Sequence, residues 1–123
     1  MSKIHIDGVI AVLPVKNQEK AIAWYKNLLG RDSDIIPAKG VAEWHLSHNS
    51  WLQITTNSTD LDQLGKAKVM ISVNNLEKQI NMCDEANIEH STIVEYSEFI
   101  KTFNVIDPDG NKISFVQDIS YQH

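Results

Sequence analysis

Four side chains with usable chemistry alternate along VAEWHLSHNSWLQIT at 41–55: the carboxylate of Glu43, the imidazole of His45, the indole of Trp51 and the amide of Gln53. Side chains of a strand point alternately to its two faces. With His48-Asn49-Ser50 as the loop of a hairpin, these four therefore share one face, and Trp44, Leu46, Leu52 and Ile54 share the other. Flat rings beside a carboxylate suit stacking against a planar or cationic ligand, while packing at the core or at a dimer interface is the plainer use of Trp51. Glu43, His45 and Gln53, joined by His5 or His48, are also donors that a divalent metal accepts. Against that reading, no His-x-His or His-x-x-x-His spacing positions two ligands in advance, and a strand histidine is more often solvent-facing or hydrogen-bonded.

A second candidate set lies around VIDPDGNKISF at 105–115. Pro108 presets the turn, Asp107 can bond the backbone ahead of it, and Gly110 accepts positive φ. A hairpin across that turn puts Phe103, Val105, Ile113 and Phe115 under a helix, and Thr102, Asn104, Ser114 and Val116 on the open face. Ser114 has no evident base to make it a nucleophile. Lys68 is the other charged residue expected to face a cavity, where it pairs with an anionic ligand or reaches solvent. Cys83 falls between Ile80 and Ala86 on an inner helix face and reads as a small apolar group. The chain carries no phosphate-binding Gly-rich loop, nucleophile elbow or Cys-x-x-Cys pair.

The elements that must position these residues are legible as two similar halves. VIAVLPV at 9–15 is a β-prone run, Asn17 offers a helix cap, and the helix it opens closes at Gly30. VMISV at 69–73, Asn75 and a helix ending near Asn87 repeat the plan. Val15, Asn17, Glu19 and Lys20 match Val73, Asn75, Glu77 and Lys78 at a constant offset of 58 residues, which points to an internal repeat. Three β-like stretches follow each helix, near 33–37, 41–47 and 51–56, then near 91–95, 98–106 and 112–118. The reading is α+β, one domain of two βαβββ modules at about 1–56 and 67–123, with a polar linker at about 57–66.

Composition narrows the partners. The 123 residues are 42% hydrophobic and 22% charged, as in an ordinary globular domain, and no apolar run is long enough for a membrane span. The net charge of −5 and the dispersal of 11 Lys and Arg disfavour nucleic acid. MSKIHIDG lacks the apolar core of a secretory signal, and the single cysteine fits a reducing compartment, so a cytoplasmic location is expected. A small organic molecule or another protein remains as partner.

LPVKNQEKAIAWYKNLLG at 13–30, VMISVNNLEKQINMCDEANIEH at 69–90 and DPDGNKISF at 107–115 together resemble the vicinal oxygen chelate superfamily. This group contains glyoxalase I, bleomycin-resistance proteins, fosfomycin-resistance enzymes and extradiol dioxygenases. The resemblance implies curved mixed sheets around a cavity (the glyoxalase/bleomycin-resistance/dihydroxybiphenyl-dioxygenase-like fold) and a homodimer with cavities shared between chains. In enzymes of the group, four side chains on the open sheet faces hold a divalent metal. The corresponding positions here are Ile10, Gln53, Lys68 and Ser114, which do not retain that set: an aliphatic chain cannot ligate, an ammonium repels a cation, and a serine is a weak neutral ligand. The expectation is therefore a metal-independent, bleomycin-resistance-like binder of a small organic molecule, planar or cationic. Its site would comprise Glu43, His45, Trp51, Gln53, Lys68, Thr102, Asn104 and Ser114, with no cofactor and no catalytic residue. The alternative is a metal-dependent glyoxalase-like lyase or isomerase, or a dioxygenase, holding Zn, Ni, Mn or Fe through His45, Glu43 and Gln53. A regulatory module whose pocket has closed is a third.

Overall fold

Asn17 and Asn75 each accept a hydrogen bond from the backbone N–H three residues on, Lys20 at 2.9 Å and Lys78 at 3.0 Å, and so start the two helices. The computed structural model describes residues 5–57 and 64–120; residues 58–63 of the expected linker lie outside them. The order is β1 (Val9–Pro14), α1 (Gln18–Leu29), β2 (Val41–Ser47), β3 (Ser50–Thr55), β4 (Lys68–Ser72), α2 (Leu76–Glu85), β5 (Val94–Glu95), β6 (Ile100–Ile106) and β7 (Lys112–Asp118). Gly30, with φ of 80°, ends α1, and Asn87, with φ of 57°, follows α2 in the same left-handed role.

Each half folds its first strand parallel to its last, so the strand orders are β1-β3-β2 and β4-β7-β6-β5. The strand expected at 33–37 is reduced to a single bridge between Ile35 and Glu43, and the one at 91–95 to two residues. Pro37 and Gly40 interrupt the first, since proline lacks the ladder N–H and Gly40 turns at φ of 83°. No ladder joins β1 to β4 among the described residues, and the sheets do not close into a barrel. No helix there is long and apolar enough to cross a membrane.

Each sheet buries one face. Trp44, Leu52 and Ile54 are fully buried on the first, as are Phe103, Val105, Ile113 and Phe115 on the second, and all join one core with Tyr25, Leu28, Leu76 and Cys83 of the helices. Trp44 therefore packs, with its Nε1–H donating to the Arg31 carbonyl at 3.0 Å. Cys83 packs as well, and burial pushes its thiol pKa up. Two buried amides tie elements together. Gln79 Nε2 donates to the Leu28 carbonyl at 2.8 Å, joining the helices of the two halves, and Gln117 Oε1 accepts from the Leu76 N–H at 2.9 Å, fixing α2 to β7 within the second half.

The DPDGN turn does more than reverse the chain. Asp107 is 3% exposed and Asn111 fully buried. Tyr25 of α1 donates its hydroxyl to Asp107 Oδ2 at 2.7 Å, and Asn111 Nδ2 donates to the Pro14 carbonyl of β1 at 2.8 Å. Gly65 must be glycine here, because a Cβ at that position would collide with the Asp109 carbonyl and its φ is 75°. Removing one partner of a buried hydrogen bond costs the desolvation of the group left behind. We expect Tyr25→Phe to lower unfolding free energy by about 1–2 kcal/mol and Asp107→Ala, which strands several donors, by about 2–4 kcal/mol in urea titrations. Wild-type stability in Asp107→Ala would show that the turn does not tie the halves together.

Candidate functional site

On the first sheet the register sets Glu43 opposite Gln53 and His45 opposite Trp51, all on the face turned from the helices. Gln53 Nε2 donates to Glu43 Oε2 at 2.6 Å. The His45 and Trp51 rings stack, with centroids 5.0 Å apart and planes 13° from parallel. His45 Nε2 lies 3.2 Å from the His48 carbonyl. The expected grouping is therefore present as a carboxylate locked by an amide beside a two-ring wall. Ile10 and Val12 of β1, half exposed, complete that face, because they pair with Trp51 and Gln53 in the parallel ladder.

Three residues that hold this wall carried no site signal in the sequence. Asp34 Oδ2 accepts the His45 backbone N–H at 2.6 Å, and Arg31 bonds both Asp34 and the His45 carbonyl, clamping β2 where its register shifts between His45 and Ser47. The only hint was an Arg-x-x-Asp spacing just after the helix stop. Gly8 leaves the space into which the Trp51 ring fits, since a Cβ there would lie 2.6 Å from it.

On the second sheet Lys68, Thr102, Asn104 and Ser114 line one concavity of about 320 Å³, together with Tyr96 and Lys112. Ser114 donates its hydroxyl to Asn104 Oδ1 at 2.6 Å. Thr102 is buried at the floor, and its hydroxyl donates to the Phe115 carbonyl at 2.7 Å. A groove of about 400 Å³ runs between the facing edges of β1 and β4, and Trp51, Leu46, Val69 and Met70 are among its walls. Val69 and Met70 line both spaces. The eight expected site residues thus fall into two groups of four, one on each sheet.

The four positions that the resemblance assigns to a metal do not fit one. Ile10 is aliphatic, Lys68 ends in an ammonium, the Ser114 hydroxyl is engaged by Asn104, and the Gln53 amide is engaged by Glu43. Glu43, His45 and Gln53 share a face, but Gln53 and Glu43 are bonded to each other and the His45 ring is stacked. Among the described residues no three His, Cys, Asp or Glu side chains converge as a metal set.

Strand order, module repeat and open faces together define the class: this is the fold of the glyoxalase/bleomycin-resistance proteins, consistent with the vicinal oxygen chelate superfamily. No family model matches the chain, and no curated protein matches it. The particular likenesses are to solved structures. A glyoxalase/bleomycin resistance protein from Catenulispora acidiphila DSM 44928 is 25% identical with a TM-score of 0.79, covering 89% of this chain and 96% of its own. A bleomycin resistance determinant encoded on the transposon Tn5 is 14% identical with a TM-score of 0.76, covering 91% and 98%. TnmS3, an antibiotic binding protein from Streptomyces sp. CB03234, is 18% identical with a TM-score of 0.75, covering 96% and 98%.

Chemically, the first sheet offers flat rings and one anion, and the second offers hydrogen-bond donors. The hydrogen bond from the His45 N–H, followed by the Arg31 charge, holds the Asp34 carboxyl below its ordinary pKa of 3.8. The clamp is thus complete above that value and is lost as pH falls through the lower folded value. Carbon-13 titration should give Asp34 a midpoint below that of the urea-unfolded chain, with the His45 amide signal moving at the same pH. Equal midpoints would remove the clamp.

Proposed function

We propose that this chain binds a small organic molecule, planar or cationic, without a metal and without catalysis, as a cytoplasmic homodimer. The observation that carries the reading is the stacked His45–Trp51 wall beside the Glu43 carboxylate on the outward face, with Trp51 also lining an apolar groove. A concave, mostly apolar surface with a few placed polar groups is what sequestration requires. Support also comes from the structural neighbours, which include a bleomycin-binding protein complexed with bleomycin and an antibiotic binding protein. For the dimer, the support is apolar surface on the two open faces. Ile10 and Val12 on the first sheet and Met70, Val94, Ile100 and Ile106 on the second are each more than two-fifths exposed. Such patches mark interaction surfaces, and a second chain laid across them would deepen both half-cavities.

Thermal shift against planar and planar cationic compounds tests the binding. We expect stabilisation by at least one of these classes, loss of about tenfold or more in affinity in Trp51→Ala, and loss of any cation preference in Glu43→Gln. Indifference to every class would sink the reading. Stoichiometric Zn, Ni, Mn or Fe that disappears in His45→Ala would sink its metal-free part. Sedimentation should give a dimer at micromolar concentration, which Ile10→Asp or Met70→Asp shifts toward monomer; a monomeric wild type would remove that assembly.

A further inference from the structure

We propose that the concavity on the second sheet is an oxyanion site, in which Lys68 and Lys112 bind the carboxylate, phosphate or phosphonate end of the ligand. Lys68 and Lys112 are direct partners across the parallel β4–β7 pair, both on the face turned from the helices. Like charges directly opposite one another destabilise a sheet. Neither ammonium has a carboxylate within ion-pair reach among the described residues, although the chain carries 16 Asp and Glu against 11 Lys and Arg. Two neighbouring cations in an acidic protein, unpaired among the described residues, present a positive site.

The rest of the lining has the same polarity. Among the described residues no acidic one lines the concavity, which is completed by Tyr96, Thr102, Asn104, Ser114 and the apolar Val69 and Met70. Because Ser114 donates to Asn104 Oδ1, the Asn104 amide is turned with its oxygen occupied, and its NH2, with no partner among the described residues, remains to donate. Two ammonium groups and an oriented amide are a donor set matched to an oxyanion, and charge-assisted bonds of this kind are the stronger ones. Val69 and Met70 also belong to the lining of the groove that contains Trp51, so the anionic end of the ligand is set beside apolar surface. The sequence showed Lys68 alone; Lys112 follows the turn and joins it only through the parallel register.

This assignment rests on the proposed small-molecule function, and the test separates the two. Nitrogen-15 NMR of the full chain at low ionic strength is titrated with inorganic phosphate, acetate, benzoate and neutral benzamide. Phosphate or acetate should give saturable shifts at Lys68, Lys112, Asn104 and Ser114, and the tighter of the two identifies the anion class. Lys68→Met and Lys112→Met should each weaken binding about fivefold, the worth of one exposed charge pair, and the double variant should abolish it. The bound anion should also raise the thermal midpoint of the wild type and leave the double variant unmoved. Both lysines are on the solvent face, and removing one relieves repulsion, so the variants should fold at least as stably. Unsaturable shifts, or equal anion binding in the double variant, would overturn the oxyanion site. Benzamide shifting Trp51 while no anion binds would overturn this site alone, whereas anion binding with no planar compound reaching Trp51 would overturn only the planar-ligand function.

Discussion

Asp107 sits in the turn between β6 and β7 and accepts hydrogen bonds at both carboxylate oxygens, from the Tyr25 hydroxyl, the Asn111 amide and the backbone of Asp109 and Asn111. Burial, then the charge of Asp107, push the Tyr25 pKa far up, so its phenol stays a donor. Since Tyr25 belongs to α1 and Asn111 also reaches Pro14 of β1, a turn made by the second module is the clasp that holds the first. An ionised group at such depth persists only when its acceptor capacity is filled, and the partners here come from both halves. With no ladder between β1 and β4 among the described residues, this polar cluster, the buried Gln79 and the shared core place one sheet against the other.

The site is the complement of that core. The alternation that buries Trp44, Leu52, Phe103 and Phe115 leaves Glu43, Trp51, Asn104 and Ser114 on the other faces. The core thereby fixes which side chains face outward on each sheet. Within each face, short local bonds hold the groups in place: Gln53 to Glu43, Asp34 to the His45 amide, Ser114 to Asn104. None of these bonds belongs to the ladders that make the sheets.

The same scaffold in metal-dependent members of the superfamily would set ligands at the positions of Ile10, Gln53, Lys68 and Ser114. Here those positions carry an apolar group, an amide bonded to a carboxylate, a cation and a bonded hydroxyl. The fold tolerates these residues because they lie on faces that contribute little to the core, which separates what folds the chain from what its open faces carry.

Much of this was legible along the chain. The repeat at an offset of 58, the asparagine caps, the DPDGN turn and the faces of both hairpins follow from periodicity and turn chemistry, which are local and leave their mark in neighbouring residues. Two strands came out shorter than the pattern suggested, because Pro37 and Gly40 break the first and the second forms only an edge pairing. The Tyr25–Asp107 clasp, the Arg31–Asp34 clamp, the space at Gly8 and the pairing of Lys68 with Lys112 were not legible. Each joins residues that are far apart in sequence or whose side chains have no periodic role. The sequence by itself determined the two modules and their buried faces, since these depend on residue type and spacing. Only the tertiary structure decided which polar groups meet, because the parallel register and the meeting of two halves through one buried turn are set by packing between distant segments.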